Sequence, residues 1–234
     1  ALAIDHRGAD AALAIYTSGT TGNSKCVLLT SANLMANAAS LARRYQVRAE
    51  DRFFCTLPTH HMNALMMTGM VPLTAGACVC LADVLSFKNA KRYFRLLAEH
   101  DITIFSVVPS IMALLLRLSP DGQRPPTPRL RFGFCGAAPL PANLWQRFEA
   151  IFGAPIYQGY GLTETTCWAV STPPDQPRRY DTVGVPLDCE VRIDSAPFDD
   201  LEALVFAPSD AAESAGAAQG TGEEIGRASC RERV

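Results

Sequence analysis

Short apolar runs alternate with longer amphipathic segments along most of the chain, and this alternation predicts the order of the secondary-structure elements. Apolar runs bounded by Gly, Pro or polar residues predict buried strands. They cover Leu13–Thr17, Phe53–Leu57, Ala77–Leu81, Thr103–Val107, Leu130–Cys135 and Ile156–Gln158. Apolar residues at helical spacing predict helices over Ser31–Tyr45, Phe87–Glu99, Pro109–Leu118 and Pro141–Phe152. Strands separated by helices are typical of βαβ units, so we predict an α/β fold with mostly parallel sheets and flanking helices.

The first two of these helices carry more specific predictions. Ser31 precedes the apolar period of the first helix and is its predicted N-cap. In the second, four apolar side chains fall on one face and are expected to pack on the sheet: Phe87, Ala90, Phe94 and Leu97.

The longest uncharged stretch, Asn63 to Ala82, is interrupted by Gly69, Pro72 and Gly76. These residues predict a buried helix, a turn and a strand rather than a membrane span. Three methionines of the helix have the spacing of a core face, with an acyl pocket as the secondary interpretation: Met66, Met67 and Met70.

The pattern changes after Pro186, where short strands with turn residues between them are predicted at Glu190–Ile193 and Leu201–Phe206. An Ala/Gly/Ser-rich stretch, Ser209 to Gly222, predicts a loop. We therefore predict an α/β core over residues 1–183 and the start of a β-rich subdomain over residues 184–223.

Residues 224–234, EIGRASCRERV, have no apolar period. The segment can be back-translated to a string that is similar to a common sequencing adapter. We therefore exclude these residues from the fold prediction as non-native. We also expect the natural protein to be longer.

Composition excludes several classes of protein. Hydrophobic residues make up 48% and charged residues 19% of the 234 residues, which is enough apolar material for a sizeable core and excludes a disordered chain. Lys and Arg number 21 against 23 Asp and Glu, so no broad basic field is available for nucleic acid. The eight cysteines form no CxxC pair, which favours free thiols in a reducing cytoplasm over a disulfide framework or a zinc site.

A polar loop, YTSGTTGNSK over Tyr16–Lys25, follows the first predicted strand. Glycines let backbone N–H groups approach an anion, hydroxyls add donors, and a lysine adds positive charge, so the loop is suited to a triphosphate. It does not fit the Walker A pattern, which argues against a Walker-type NTPase, and a flexible turn is the alternative. The candidate phosphate-binding residues are Thr17, Ser18, Gly19, Thr20, Thr21, Gly22 and Lys25.

A second segment, QGYGLTETT over Gln158–Thr166, follows a predicted strand and so lies at the carboxyl edge of the sheet, where open α/β sheets bind ligands. A hydroxyl beside a carboxylate suits a phosphate and its Mg²⁺, and a tyrosine offers a flat face to a base. Taken alone, a glycine-flanked strand exit is the alternative. The candidate residues are Gly159, Tyr160, Gly161, Thr163 and Glu164.

Together these two segments resemble the phosphate-loop and Y-G-x-T-E signatures of the AMP-forming, acyl-adenylating enzymes: the acyl- and aryl-CoA synthetases, the luciferases and the peptide-synthetase adenylation domains. The resemblance implies that Lys25 and Thr163 bind phosphate, that Glu164 ligates Mg²⁺ and that Tyr160 packs on adenine. Two departures are Ser24 for the usual Pro and Cys26 for the usual Gly.

Two further segments match the same family in order, so that the resemblance covers about residues 11–223. Gly136, Ala137 and Ala138 resemble its small-residue segment, where the family brings adenine and the acyl group close to the backbone. Thr182 to Pro186 resembles a later G-x-P turn, which we expect to be structural.

His60 and His61 follow Pro58 in a segment that resembles the P-x-x-H stretch of acyl- and aryl-CoA synthetases. His61 takes the matching place and is the candidate at the wall of the acyl pocket. No acidic residue occurs from residue 53 to residue 82, and Leu162 stands where amino-acid-activating domains commonly have Pro. Both features favour an acid that lacks an amine.

The resemblance implies an enzyme that activates a carboxylic acid with ATP and Mg²⁺ and passes the acyl group to a thiol, most simply that of coenzyme A. A module that loads an acyl carrier protein is the first alternative. The second is an inactive nucleotide-binding fragment, because the family's ribose-binding Asp and catalytic Lys are expected beyond Glu223.

Overall fold

The computed structural model describes residues 8–17, 24–118, 127–193 and 228–232. A seven-stranded sheet forms its centre, with the strand order β4-β3-β5-β6-β7-β8-β9. These strands are β3 (Arg52–Cys55), β4 (Cys78–Leu81), β5 (Ile104–Val107), β6 (Phe132–Cys135), β7 (Ile156–Tyr160), β8 (Val170–Ser171) and β9 (Val185–Pro186). The neighbours from β4 to β7 pair in parallel, and β8 and β9 continue the sheet antiparallel. The predicted mostly parallel α/β fold is confirmed.

Helices cover both faces of this sheet. They are α1 (Ser31–Arg44), a π-helix (Asn63–Met70), α2 (Val71–Thr74), α3 (Tyr93–Glu99), α4 (Pro109–Leu118) and α5 (Ala142–Phe152). One core packs α1 and the π-helix on one face, and a second core packs α3, α4 and α5 on the other. Because side chains alternate along a strand, Phe53 enters the first core and its neighbour Phe54 enters the second.

An antiparallel hairpin, β1 (Ala11–Thr17) and β2 (Lys25–Thr30), packs against α1. The sequence does not predict β2. The predicted N-cap of α1, Ser31, is wrong. Thr30 caps the helix instead, because its Oγ1 accepts from the Asn33 amide at 3.1 Å while Asn33 Oδ1 accepts from the Thr30 amide at 3.0 Å.

The helix predicted from Phe87 begins later than expected. A 3-10 turn covers Ala90–Arg92, and α3 follows it. Phe87 is 75% exposed and does not join the predicted apolar face, because residues 86–89 form a turn in which Asn89 Oδ1 accepts from the Ser86 amide.

The uncharged stretch forms the π-helix, α2 and β4, so the predicted helix, turn and strand are confirmed. Met66 and Met67 are fully buried. Within the described ranges, no helix has both the length and the hydropathy of a membrane span.

A separate ribbon pairs β10 (Cys189–Ile193) with β11 (Ala228–Glu232). A free strand edge accepts any segment of extended backbone, so this pairing carries no information about the origin of residues 224–234. The predicted strand Leu201–Phe206 and the predicted loop over residues 209–222 lie outside the described residues.

Candidate active site

Two of the segments singled out in the sequence lie at the carboxyl ends of neighbouring parallel strands. β6 leads directly into Gly136, and β7 runs through Gly159 to Tyr160. The carboxyl ends of β6 and β7 are adjacent because the strands pair in parallel up to Cys135 and Gln158. This edge is where open α/β sheets bind their ligands.

The loop after β7 turns back sharply on itself. A 3-10 turn covers Thr163–Thr165, and the Leu162 amide donates to Thr165 Oγ1 at 2.8 Å. Thr166 then adopts φ 68° and ψ −60°, and the Cys167 amide donates to the Thr165 carbonyl at 2.8 Å. These values define a γ-turn with positive φ, a rare and strained conformation, especially for a β-branched residue. Such strain persists only where the surrounding structure imposes it, and it concentrates at functional sites.

Two glycines are required by the way this loop folds onto β7. A Cβ on Gly161 would lie 1.5 Å from the Cys167 carbonyl oxygen, and one on Gly159 would lie 1.9 Å from the indole of Trp168. The indole therefore lies directly over the exit of β7. Neither position accepts any side chain without moving the backbone or the indole.

The small-residue segment after β6 divides into two parts. Gly136 is buried, and a Cβ there would lie 2.9 Å from Trp168 Nε1, so packing against the indole explains this glycine. Ala137 and Ala138 are exposed, and Ala137 has φ 69°. The two alanines are thus the part of the segment that a ligand can reach.

The chemical groups of the loop face outward. Glu164 is exposed, while Thr163 and Tyr160 are partly buried. In the described part of the chain no group of three or more His, Cys, Asp or Glu side chains could hold a metal ion. A single accessible carboxylate nevertheless fits Mg²⁺, which is held by one or two carboxylates together with substrate phosphates and water.

The candidate phosphate loop joins the two strands of the hairpin. Thr17 pairs with Lys25 across it, and Thr17 Oγ1 donates to the Lys25 carbonyl at 3.5 Å. Lys25 is exposed, and β2 contacts the 3-10 turn Thr163–Thr165. The fold therefore brings the lysine strand to the Thr163–Glu164 loop. The other candidates of this loop lie outside the described residues: Ser18, Gly19, Thr20, Thr21 and Gly22.

The P-x-x-H segment adjoins the γ-turn. His60 and His61 are both exposed, with ring centroids 4.3 Å apart. The next residue, Met62, accepts a weak hydrogen bond through its carbonyl from Cys167 Sγ at 3.9 Å. Burial raises the pKa of the Cys167 thiol to about 12, so the thiol stays neutral at physiological pH. The segment that carries His61 therefore contacts the loop after β7 through a buried bond between the neutral Cys167 thiol and the Met62 carbonyl.

Two residues of this region are missed by sequence reasoning. Trp168 covers the glycines of β6 and β7, and Asn37 of α1 donates through Nδ2 to the Trp168 carbonyl at 2.9 Å. A signal for Asn37 exists in the sequence, since it is an amide on an otherwise apolar helix face. Its partner lies 131 residues away and has no local signal.

The chain is similar to known proteins over most of its length. The family model described as AMP-binding enzyme matches residues 4–200. The sulfoacetate–CoA ligase of Cupriavidus necator is 39% identical over 183 residues, which are 78% of this chain and 35% of that protein. The oxalate–CoA ligase of Arabidopsis thaliana is 31% identical over 186 residues, covering 79% of this chain and 36% of that protein.

A solved structure shares the fold over the same region. ATP-bound MatB from Rhodopseudomonas palustris superposes with a TM-score of 0.73 and 30% identity, over 81% of this chain and 37% of that one. The chain therefore spans 35% to 37% of the length of these relatives.

Proposed function

The chain belongs to the AMP-binding enzyme family. From this premise we propose that the whole protein activates a carboxylic acid with ATP and then transfers the acyl group to the thiol of coenzyme A. In the first step a carboxylate oxygen forms a bond to the α-phosphorus. The bond from that phosphorus to the bridging oxygen breaks, and pyrophosphate leaves with the electron pair. In the second step the thiol sulfur attacks the acyl carbon, AMP leaves and the thiol proton passes to solvent.

The observation that carries this proposal is a contact between strand β2 of the hairpin and the loop after β7. The strand that begins at Lys25 contacts the turn that holds Thr163 and Glu164. A cation, a hydroxyl and an accessible carboxylate on adjoining loops match what a nucleotide triphosphate and its Mg²⁺ require.

Each of these side chains has a defined part in the proposed reaction. The Lys25 ammonium and the Thr163 hydroxyl bind phosphate oxygens, and the Glu164 carboxylate holds Mg²⁺ against them. When bound, the ion neutralises charge on the phosphate oxygens and stabilises the transition state. Tyr160, which is partly buried, and the exposed residues Ala137 and Ala138 flank the adenine in this proposal.

The substrate we propose is a small acid without an α-ammonium group. Residues 53–82 are all described and contain no carboxylate, so an ammonium buried there has no partner and pays a large desolvation penalty. The names of the relatives, sulfoacetate–CoA ligase and oxalate–CoA ligase, support small organic acids. His61 forms part of the wall beside the acid.

Acid-dependent exchange of pyrophosphate into ATP, measured on the whole protein, tests the proposal. We expect exchange with simple or acidic small acids, sulfoacetate and oxalate among them, and little exchange with free amino acids. Faster exchange with amino acids would reverse the choice of substrate class. A second assay that offers coenzyme A or a phosphopantetheinylated carrier protein as acceptor separates the thiol transfer we propose from carrier loading.

We further propose that residues 1–234 alone bind MgATP weakly and turn over slowly. Lys25, Thr163 and Glu164 are present, but the chain spans little more than a third of its relatives, and incomplete positioning removes most of the catalytic effect. Calorimetry with MgATP beside a pyrophosphate-release assay tests this. The free thiols of the described cysteines support the proposal that the protein works in a reducing cytoplasm.

A further inference from the structure

One polar side chain interrupts the buried face of α1. That face consists of Leu34, Ala38 and Leu41 together with Asn37, which is only 5% exposed. Asn37 Nδ2 donates to the Trp168 carbonyl, but Asn37 Oδ1 has no hydrogen-bond partner among the described residues. A buried acceptor without a partner is unfavourable, and a leucine would pack here without one. The hydrogen bond to the Trp168 carbonyl is therefore the one advantage that asparagine has over leucine at this position.

This bond holds the end of the loop after β7. Trp168 follows the γ-turn at Thr166, and its indole lies over Gly159. The next amide, that of Ala169, donates to the Tyr160 carbonyl at 2.9 Å. Asn37 thus fixes the loop at the residue where it rejoins the sheet.

The amino end of α1, about two turns before Asn37, is continuous with the phosphate hairpin. β2 begins at Lys25 and ends at Thr30, which is itself the N-cap of the helix. The reciprocal hydrogen bonds between Thr30 and Asn33 fix the angle between strand and helix. One helix therefore connects the hairpin that carries Lys25 to the loop that carries Glu164.

We propose that Asn37 is a positioning residue that sets the phosphate hairpin and the Thr163–Glu164 loop in a fixed relation. This inference rests on the proposed function, in which the two loops bind opposite sides of the same phosphates and Mg²⁺. Asn37 touches neither ligand. It acts through the Trp168 carbonyl, and its loss lets Glu164 move relative to Lys25.

The chain offers a matched control on the same helix. Tyr45, the C-cap residue of α1, donates through its hydroxyl to the Thr172 carbonyl at 2.9 Å, four residues beyond Trp168. Asn37→Leu and Tyr45→Phe each remove one buried hydrogen bond from α1 to the same segment of chain. Only the first bond lies at the end of the Thr163–Cys167 loop. Asn37→Ala, which removes the amide and needs less space than leucine, serves as the second variant if Asn37→Leu fails to fold.

Two measurements on the whole protein decide the question. Hydrogen exchange of the amides in residues 163–169 should accelerate at least about tenfold in Asn37→Leu and stay unchanged in Tyr45→Phe, since of these two side chains only Asn37 bonds to the end of this loop. In pyrophosphate exchange, kcat/KM for MgATP should fall roughly tenfold to a hundredfold in Asn37→Leu, with a higher Mg²⁺ requirement, because small misplacements have effects of this size. Tyr45→Phe should stay within about threefold of the parent protein.

The outcomes separate this inference from the proposed function. Unchanged hydrogen exchange in residues 163–169 of Asn37→Leu would overturn the inference. So would equal losses of kcat/KM in the two variants, since both bonds would then be merely structural. If the parent protein shows no acid-dependent exchange with any acid, the proposed function fails, and the hydrogen-exchange result still decides whether Asn37 holds the loop.

Discussion

Two carboxylates at opposite edges of the same sheet differ in their surroundings. Asp51, at the amino ends of β3, β5 and β6, is 2% exposed and bonded to neighbouring protein groups. Glu164, at the carboxyl edge, lies exposed on a strained loop. Asp51 forms an ion pair with Arg131 and accepts from Thr103 Oγ1 at 2.8 Å and from the Arg48 amide at 2.8 Å. A carboxylate with these donors holds three strands together, and its burial keeps it away from any ligand in solvent.

A second network repeats this pattern at the start of β7. Glu149 accepts from the Ile156 amide at 2.7 Å and from the Tyr180 hydroxyl at 2.8 Å, and its carboxylate lies 3.7 Å from Arg178. Arg178 in turn covers the ring of Tyr157 at 4.6 Å. In both networks the carboxylate is neutralised by an arginine of the protein itself.

The opposite edge combines an accessible carboxylate at Glu164 with the γ-turn at Thr166 and with glycines required by close packing at Gly159 and Gly161. Charge paired inside the protein stabilises the fold, whereas charge left open at a rigid edge is available to a ligand. We expect this difference between the edges to separate the structural carboxylate, Asp51, from the one we propose to bind Mg²⁺, Glu164.

Glu164→Gln in the whole protein is the sharpest test of this difference. We expect acid-dependent pyrophosphate exchange to fall by about 10²–10³-fold, or roughly 3–4 kcal/mol in the transition state, because the only charge offered to Mg²⁺ by this loop is removed. The free energy of unfolding should stay within about 0.5 kcal/mol, since the side chain is exposed. Near-normal exchange at limiting Mg²⁺ would show that this edge does not hold the metal.

Asp51→Ala is the mirror experiment at the amino edge. We expect the free energy of unfolding to fall by about 3 kcal/mol, because Arg131 loses its partner and two further hydrogen bonds disappear. Chemical denaturation measures this loss. At a temperature where the variant is folded, pyrophosphate exchange should remain within a few-fold of the parent. A large loss of exchange with little loss of stability would contradict the division between the two edges.

Thr166→Gly should change stability and activity in opposite directions. Glycine adopts positive φ freely, so the variant should be more stable by about 1 kcal/mol, which is the low end of the strain of such a residue. The freed loop should hold Glu164 less firmly and lower kcat/KM for MgATP by about tenfold. Thermal unfolding tests the expected rise in stability, and pyrophosphate exchange on the same preparation tests the expected fall in kcat/KM. A variant that gains stability and keeps full activity would mean that the γ-turn has no part in positioning Glu164.

The extent to which this structure follows from the sequence depends on the range of the interactions. The helix Pro109–Leu118 is predicted to the residue because its apolar period and its starting proline are local signals. The γ-turn at Thr166 is not predicted, since local preference disfavours a β-branched residue at positive φ and tertiary packing imposes it.

The site shows the same limit. Its two loops are recognisable from short motifs, and the parallel strand order explains why the segments after β6 and β7 lie side by side. The hairpin that carries Lys25 is a separate two-stranded sheet, and its contact with the loop after β7 comes from the fold. The contact between Asn37 and Trp168 spans 131 residues and exists only once α1 lies against the sheet. Roles of ligand-binding residues can thus be inferred from motifs, whereas the residues that position them come from the fold.

The smallest predicted effect is a pH dependence of stability, caused by the buried Cys167 thiol beneath the strained loop. Cys167 is fully buried although Glu164 is exposed three residues earlier, and burial raises the pKa of its thiol from 9.0 to about 12. A raised pKa means that the folded protein keeps a proton which the unfolded chain releases. The stabilising contribution is therefore complete below pH 9 and is lost as the pH rises from 9 towards 12.

Between pH 9 and pH 10 this thiol should lower the free energy of unfolding by about 1 kcal/mol, and Cys167→Ala should remove that share of the decline. Cys135 is buried as well and contributes in the same direction, so Cys135→Ala is the matched control at the end of β6. Urea titrations at pH 8, 9 and 10 measure the slope. If Cys167→Ala leaves the slope unchanged while Cys135→Ala reduces it, water reaches the Cys167 thiol. Solvent would then reach the residues beneath the γ-turn. The contrast between an exposed carboxyl edge and a buried interior would not hold for the loop after β7.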